Sequence, residues 1–290
     1  LIFFDPNFVD IRGEKRYLKT YDGGAIDELR KTWLEVEQLD KLRTAGVNQL
    51  RQRLCLEFPE VAARSLEISP KLGFSPLIGW LAGVHSYTRI VKDYGSSIAP
   101  SLGIEISDYT REHALMLVSI EQRIQKKELN LRTLLRPFEN YLKVFRRFGF
   151  GLKSQTLLLL TIYSFDRFLV AGKPWIVYEP NRAYRTVKRN KSERQFQSYL
   201  GLGYRLSQSG GKLARSYSGS SSCRAHLYAW ALTTIAPKNR ALKPELVRAL
   251  GEKFDYWRGE KGVNGKNSLI RILFTMSRWL FRELVKDLCD

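Results

Sequence analysis

Ala25-Ile-Asp-Glu-Leu-Arg-Lys-Thr-Trp-Leu-Glu-Val-Glu-Gln-Leu-Asp-Lys-Leu42, continuing to Phe58, is the stretch that decides the fold class. Ile26, Leu29, Trp33 and Val36 fall at i, i+3, i+7 and i+10. Leu39, Leu42, Val47, Leu50 and Leu54 extend the stripe, with a phase slip near Gly46. That spacing is the period of an α-helix with one apolar face. Arg43, Arg51 and Arg53 are expected on the other face. Phe58-Pro59 ends the helix, because the residue before a proline is pushed out of the α region.

A second long helix is predicted from about Asp108 to Arg136, with Ser107 as its N-cap. Leu117, Ile124 and Leu131 are seven apart, and Ile120 and Leu134 fill the companion seam. Such heptads fit a coiled coil, an antiparallel pair within the chain or a plain helical hairpin. Pro70, Pro76, Gly79, Gly83, Gly95, Pro100 and Gly103 break residues 69–106 into short helices between turns, an insertion capping the helical region. After Pro137, Phe148-Gly-Phe-Gly-Leu-Lys-Ser-Gln-Thr156 reads as a turn opening an apolar helix over Leu157–Tyr163. That turn is like a helix-hairpin-helix, whose backbone N–H groups grip a phosphate, which makes Gly149, Gly151 and Lys153 candidate nucleic-acid contacts. Further helices are predicted over 225–234, Glu245–Trp257 and Asn267–Leu288, the last on Leu269, Ile272, Leu273, Met276, Leu280, Leu284 and Leu288. No sustained strand alternation appears after residue 25, so the expected class is mostly α: a long helical, coiled-coil-like linker followed by a compact helical domain.

With 290 residues the chain can bury a substantial core, and 44% hydrophobic content with 12% aromatics marks a folded protein. Lys and Arg number 48 against 29 acids, a formal +19, which points to a polyanion and to nucleic acid ahead of membrane. The longest apolar run, Leu157-Leu-Leu-Leu-Thr-Ile162, is far short of the ~20 residues a spanning helix needs. Cys55, Cys223 and Cys289 are widely separated and odd in number. Together with the scattered His85, His113 and His226, they offer neither a disulfide framework nor a paired zinc motif. An intracellular, reducing compartment is expected.

Two stretches carry candidate chemistry. Asn181-Arg-Ala-Tyr-Arg-Thr-Val-Lys-Arg-Asn-Lys-Ser-Glu-Arg194 is the densest basic run. Arg182, Arg185, Lys188, Arg189, Lys191 and Arg194 can each neutralise a phosphate, and Tyr184 can stack on a base. Ser207-Gln-Ser-Gly-Gly-Lys212 to Ser216-Tyr-Ser-Gly-Ser-Ser-Ser-Cys-Arg224 reads as a loop of glycines and hydroxyls leading into a helix, with Arg205, Lys212 and Arg215 in or beside it. Serines there either cap the helix or, held among cations, supply a nucleophile for a phosphodiester.

The order of motifs is specific. Gly149-Phe-Gly-Leu-Lys-Ser-Gln-Thr, Phe165-Asp-Arg-Phe168, Phe196-x-x-Tyr-Leu-Gly-Leu202, Gln208-Ser-Gly-Gly-Lys212 and Gly219-x-x-x-Cys-Arg224 resemble the C-terminal half of insertion-sequence transposases of the IS-one-ten group, related to the Piv invertases. Leu42-Arg-Thr-x-x-x-Asn-Gln-Leu-Arg51 and Phe58-Pro-Glu-Val61 resemble the family's helical linker.

The resemblance implies an N-terminal RuvC-like domain with four acidic ligands for Mg2+, a coiled-coil linker and a C-terminal domain with a catalytic serine. It implies DNA cutting and rejoining through a serine–DNA phosphodiester. It also implies DNA partners at element ends and targets, a homo-oligomer and, for some members, a guide RNA. Counting back from the helix, where Gly219 and Arg224 match, gives Ser216 as the nucleophile; forward counting from Gly210-Gly211-Lys212 falls nearer Ser218 or Ser220. Ser216 is the preferred candidate and Ser220 the second. Lys212, Arg215 and Arg224 join the nucleic-acid contacts.

The resemblance divides the chain into 1–24, the tail of a RuvC-like domain; 25–145, the linker with its insertion; and 146–290, the serine domain. Asp5, Asp10, Asp22 and Asp27 lack the expected strand context and Asp-x-x-Asp spacing and read as linker or capping acids, so no metal ligands are assigned. The expectation is a transposase fragment or decayed copy. The alternatives are a non-catalytic nucleic-acid-binding protein and a helical oligomerisation module.

Overall fold

The computed structural model of the chain describes residues 23–180, 186–209 and 212–289. Helix α1 runs unbroken over Gly23–Glu57. Short helices follow: α2 (Pro59–Ala62), α3 (Pro76–Leu81), α4 (Thr88–Gly95) and α5 (Ile98–Ser101). Helix α6 spans Asp108–Leu135, and its N-cap is Ser107, whose hydroxyl accepts the Thr110 N–H at 3.3 Å. The predicted helices and cap are therefore present.

The two long helices pack antiparallel within the chain. Lys127 of α6 pairs with Glu35 of α1, Arg43 of α1 lies 2.7 Å from Glu121, and the Arg53 guanidinium is 4.8 Å from the centre of the Tyr109 ring. Of the predicted seam, Leu117, Ile120, Ile124 and Leu131 are buried and Leu134 is half-buried. Leu42 departs from the predicted stripe: it is 57% exposed, while Leu39, Val47, Leu50 and Leu54 are buried. Arg43 departs from the expected solvated face. It reaches Glu121 and also donates to the Leu66 carbonyl.

Two apolar cores divide this hairpin. At one end Leu39, Leu50, Leu54 and Phe58 meet Leu66, Ile78, Leu81 and the 114–124 part of α6. At the other end Leu29, Trp33 and Val36 of α1, with Leu131 and Leu135 of α6, enter the core of the remaining chain. Burial of these side chains contributes roughly 1.5–3 kcal/mol each, which fixes both ends of the hairpin.

The second core is built by α7 (Glu139–Arg147), α8 (Leu152–Ile162), α9 (Lys191–Tyr199), α10 (Ser221–Trp230), α11 (Glu245–Gly259) and α12 (Gly265–Cys289). Phe165 and Phe168 are buried with Phe196 and Phe281, ring centres 5.3–6.1 Å apart across the set. The Phe165-Asp-Arg-Phe168 motif thus serves packing.

The fold is mostly α, as expected, and the absence of sustained strand alternation after residue 25 did not reveal three short ribbons. Among the described residues there are three antiparallel two-stranded ribbons: β1 (Leu169–Val170) with β2 (Lys173–Pro174), β3 (Ile176–Pro180) with β4 (Thr186–Asn190), and β5 (Gly203–Ser209) with β6 (Lys212–Ser218). The alternation rule looks for a strand with one face in a core. β3 and β4 hold no fully buried residue, so nothing forces an apolar/polar alternation on them.

Candidate functional site

The serine stretch is not a loop before a helix but a β-hairpin between two helices. Strand β5 leaves the end of α9, turns and returns as β6, which enters α10. The register pairs Tyr204 with Tyr217 and Arg205 with Ser216.

Two glycines bolt the hairpin base to α9. Gly219 has φ +88, and a Cβ there would lie 1.7 Å from the Ser198 carbonyl oxygen. Gly201 has φ +78, and a Cβ there would lie 2.1 Å from the Ser220 carbonyl oxygen. Only a residue without a side chain tolerates both the backbone angle and the approach. Gly201 donates to the Ser198 carbonyl at 3.0 Å, and Leu202 to that of Gln197 at 2.9 Å, closing α9. The Tyr-Leu-Gly-Leu and Gly219 motifs are therefore the joint that aims the hairpin.

The predicted serines differ in surroundings. Ser220 is the N-cap of α10, its Oγ accepting the Cys223 N–H at 3.1 Å. Ser216 lies within β6 and is exposed. Cys223 is 1% exposed; burial pushes its thiol up to about 12, a Thr161 hydrogen bond offsetting this only in part. A thiol held protonated is a packing group and not a nucleophile.

Arg224, assigned to nucleic acid, is engaged locally. It donates to the Gly201 carbonyl at 2.9 Å, and its guanidinium lies 4.6 Å from the centre of the Tyr217 ring. Tyr217 meets Tyr204 at 4.9 Å, and Tyr204 stacks on Phe274 of α12 at 5.6 Å and 19°. An aromatic ladder thus ties the hairpin to the closing helix.

The other candidates fall in separate places. Gly149, at φ +65, lies between α7 and α8 against Val247 and Pro244, and Gly151 is the N-cap position of α8. Lys153, in the first turn of α8, is held by Asp40 at 2.6 Å and Glu128 at 3.2 Å, carboxylates of the long helical hairpin. Arg182, Tyr184 and Arg185 lie outside the described residues, as do Asp5, Asp10 and Asp22. Of Lys212 and Arg215 only the strand register is described, opposite Ser209 and Leu206. Asp27 pairs with Arg30 at 2.7 Å on the first turn of α1.

In the β3–β4 ribbon, Glu179 takes Lys191 at 2.7 Å and Arg189 at 3.4 Å, and the Lys191 hydrogen bond holds its carboxyl below the usual range. Lys188 is exposed on β4. The ribbon forms one wall of an open cleft of about 750 Å³; α9 and α12 form the others. Among the described residues, Lys188, Arg189, Arg194, Arg278 and Arg282 line it with a single acid, Glu193. Sequence reading passed over Arg278 and Arg282, although their i, i+4 spacing opposite the apolar stripe of α12 puts them on one exposed face.

Among the described residues no three His, Cys, Asp or Glu side chains converge on a possible metal position. No described helix is long and apolar enough to cross a membrane.

Residues 182–245 match the family model described as Transposase IS116/IS110/IS902 family. That segment, 64 of the 290 residues, is similar to a transposase domain of that family. It takes in β4, α9, the serine hairpin and α10 and ends at the first residue of α11. No curated protein and no solved structure matches the chain. Residues that line the cleft from α12 lie outside the transposase match.

Proposed function

We propose that the chain carries the serine part of a DNA transposase of an insertion sequence, and that Ser216 is the nucleophile. The observation that supports this most is the transposase match itself, which spans the hairpin bearing Ser216. The geometry favours Ser216 over Ser220, because the Ser220 oxygen already serves as a helix cap while Ser216 stands exposed on a strand.

The step is an exchange of esters. Ser216 Oγ gives up its proton and bonds to the DNA phosphorus, while the bond from phosphorus to one sugar oxygen breaks and that oxygen takes a proton. Attack by a hydroxyl of another strand reverses the exchange and frees the serine. The phosphoserine link keeps the bond energy, so joining needs no ATP. The resemblance assigns Mg2+ and its four acids to a RuvC-like domain. The described residues do not supply such a set. DNA is the partner, through the transposase domain and the +19 charge; a guide RNA and a homo-oligomer extend this reading.

A strand-nicked duplex mixed with the chain, with Mg2+ and a RuvC-like domain of the family added, tests the proposal by denaturing gel. A DNA–protein adduct abolished by Ser216→Ala supports it. Salt-sensitive binding without any adduct supports instead a non-catalytic nucleic-acid-binding protein.

A further inference from the structure

We infer that the cleft between the β3–β4 ribbon, α9 and α12 binds a nucleic-acid sugar–phosphate backbone, and that Arg278 and Arg282 make α12 part of that interface. The inference deepens the transposase reading and rests on it only for the identity of the polyanion.

Three observations carry it. First, cations converge from three separate elements: Lys188 from β4, Arg194 from α9, and Arg278 and Arg282 from α12. Among the described residues none of these four has a carboxylate within ion-pair distance. The nearby Glu179 is taken by Lys191 and Arg189. Even with Glu193 in the lining, the cleft keeps a net positive charge, and such an excess in a concavity raises the local concentration of a polyanion. Second, Arg278 and Arg282 are one helical turn apart, with Cβ atoms about 5–6 Å from each other. Two planar forks at that spacing suit successive phosphates, which guanidinium groups bind in two-pronged fashion. Third, the cleft is joined to the serine hairpin: Phe274 lines it and stacks on Tyr204, the cross-strand neighbour of Tyr217. A strand gripped in the cleft therefore passes beside the base of the hairpin that carries Ser216.

A small phosphorylated metabolite fits less well. The cleft is an open trough walled by long cationic side chains, with Phe274 and Ile176 its only apolar lining among the described residues. That lining suits a polymer backbone more than an enclosed small ligand.

The test is the salt dependence of binding by the full chain, measured by fluorescence anisotropy between 50 and 200 mM salt. The probes are a 30-base-pair duplex DNA and a folded hairpin RNA. Arg278→Gln/Arg282→Gln is compared with Arg111→Gln/Lys92→Gln, an equal loss of charge on α6 and α4. Each lost phosphate contact lowers the slope of log K against log salt by about 0.7–0.9, so the cleft pair should lower it by about 1.4–1.8 and the control pair far less. Arg278→Lys/Arg282→Lys should retain the slope, and unchanged thermal unfolding excludes misfolding. The probe whose slope falls identifies the strand as DNA or RNA. Equal slopes for the cleft and control pairs, on both probes, overturn the inference. Ser216→Ala should leave every slope unchanged, so loss of the adduct with slopes intact bears on the nucleophile and not on the cleft.

Discussion

The α-carbon of Gly219 approaches the carbonyl oxygen of Ser198 so closely that a Cβ at Gly219 would stand 1.7 Å from it. This contact joins the end of the serine hairpin to α9, and the position of Ser216, three residues earlier in β6, depends on it.

Gly219→Ala is therefore expected to destabilise the domain. The positive φ alone costs about 1–3 kcal/mol in a residue with a Cβ, and relief of the clash adds to it. The measurement is thermal unfolding of the variant beside Gly83→Ala, a glycine at φ +70 with nothing within 4 Å of a Cβ. If both lose the same stability, the close approach is not what matters at Gly219.

Arg224 fastens the other side of the hairpin through the Gly201 carbonyl and the Tyr217 ring. Lysine offers neither the fork nor the planar stack. Arg224→Lys should lower stability by about 1–2 kcal/mol, from one charge-assisted hydrogen bond and a cation–π contact, and should make the hairpin cleavable by trypsin. An uncut hairpin with wild-type unfolding would remove Arg224 from this role.

Glu121 is fully buried, bonded to Arg43 and to the Ser75 N–H at 2.6 Å. Its carboxyl is nevertheless raised above the usual value, because loss of water outweighs both partners. A raised acid favours the protonated folded state. Its contribution is thus most favourable below the unfolded value near 4.5 and is lost as pH rises through the folded value. Glu121→Ala, which strands Arg43 and the Ser75 amide, should cost about 3 kcal/mol at neutral pH. Glu121→Gln should cost less and flatten the fall in stability above pH 4.5. Denaturant titrations at pH 5 and 8 test this. A wild-type protein more stable at pH 8 than at pH 5, with that gain lost in Glu121→Gln, would contradict the sign.

Glu179 neutralises Lys191 and Arg189 at the wall of the cleft. Glu179→Gln should release both cations, tighten nucleic-acid binding and steepen its salt dependence, with little change in unfolding temperature. Weaker binding would mean that the pairing orders those cations for their ligand.

The helical framework was legible because its signals are local and repeated. The stripe from Ile26 to Leu54, the seam Leu117–Ile124–Leu131 and the cap at Ser107 each follow from a period or a side-chain bond. The hairpin was not legible as a hairpin. Its Ser/Gly composition fits a loop equally well, and the contacts that aim it are with Ser198 and Phe274, which lie outside the stretch. Reading α12 by its apolar stripe hid Arg278 and Arg282, whose partners in the cleft come from β4 and α9, far away in the chain. The ion pairs of Lys153 were not legible either, because its carboxylates, Asp40 and Glu128, lie 113 and 25 residues away in the chain.

Whether Ser216 is the nucleophile is read most directly from the covalent DNA–protein adduct formed on a nicked duplex, with Mg2+ and the RuvC-like domain supplied, by the wild-type chain, by Ser216→Ala and by Ser220→Ala. The prediction is an adduct with wild type, none with Ser216→Ala, and a reduced but present adduct with Ser220→Ala, whose lost cap lowers stability by about 1 kcal/mol. An adduct that survives Ser216→Ala and vanishes with Ser220→Ala would contradict it.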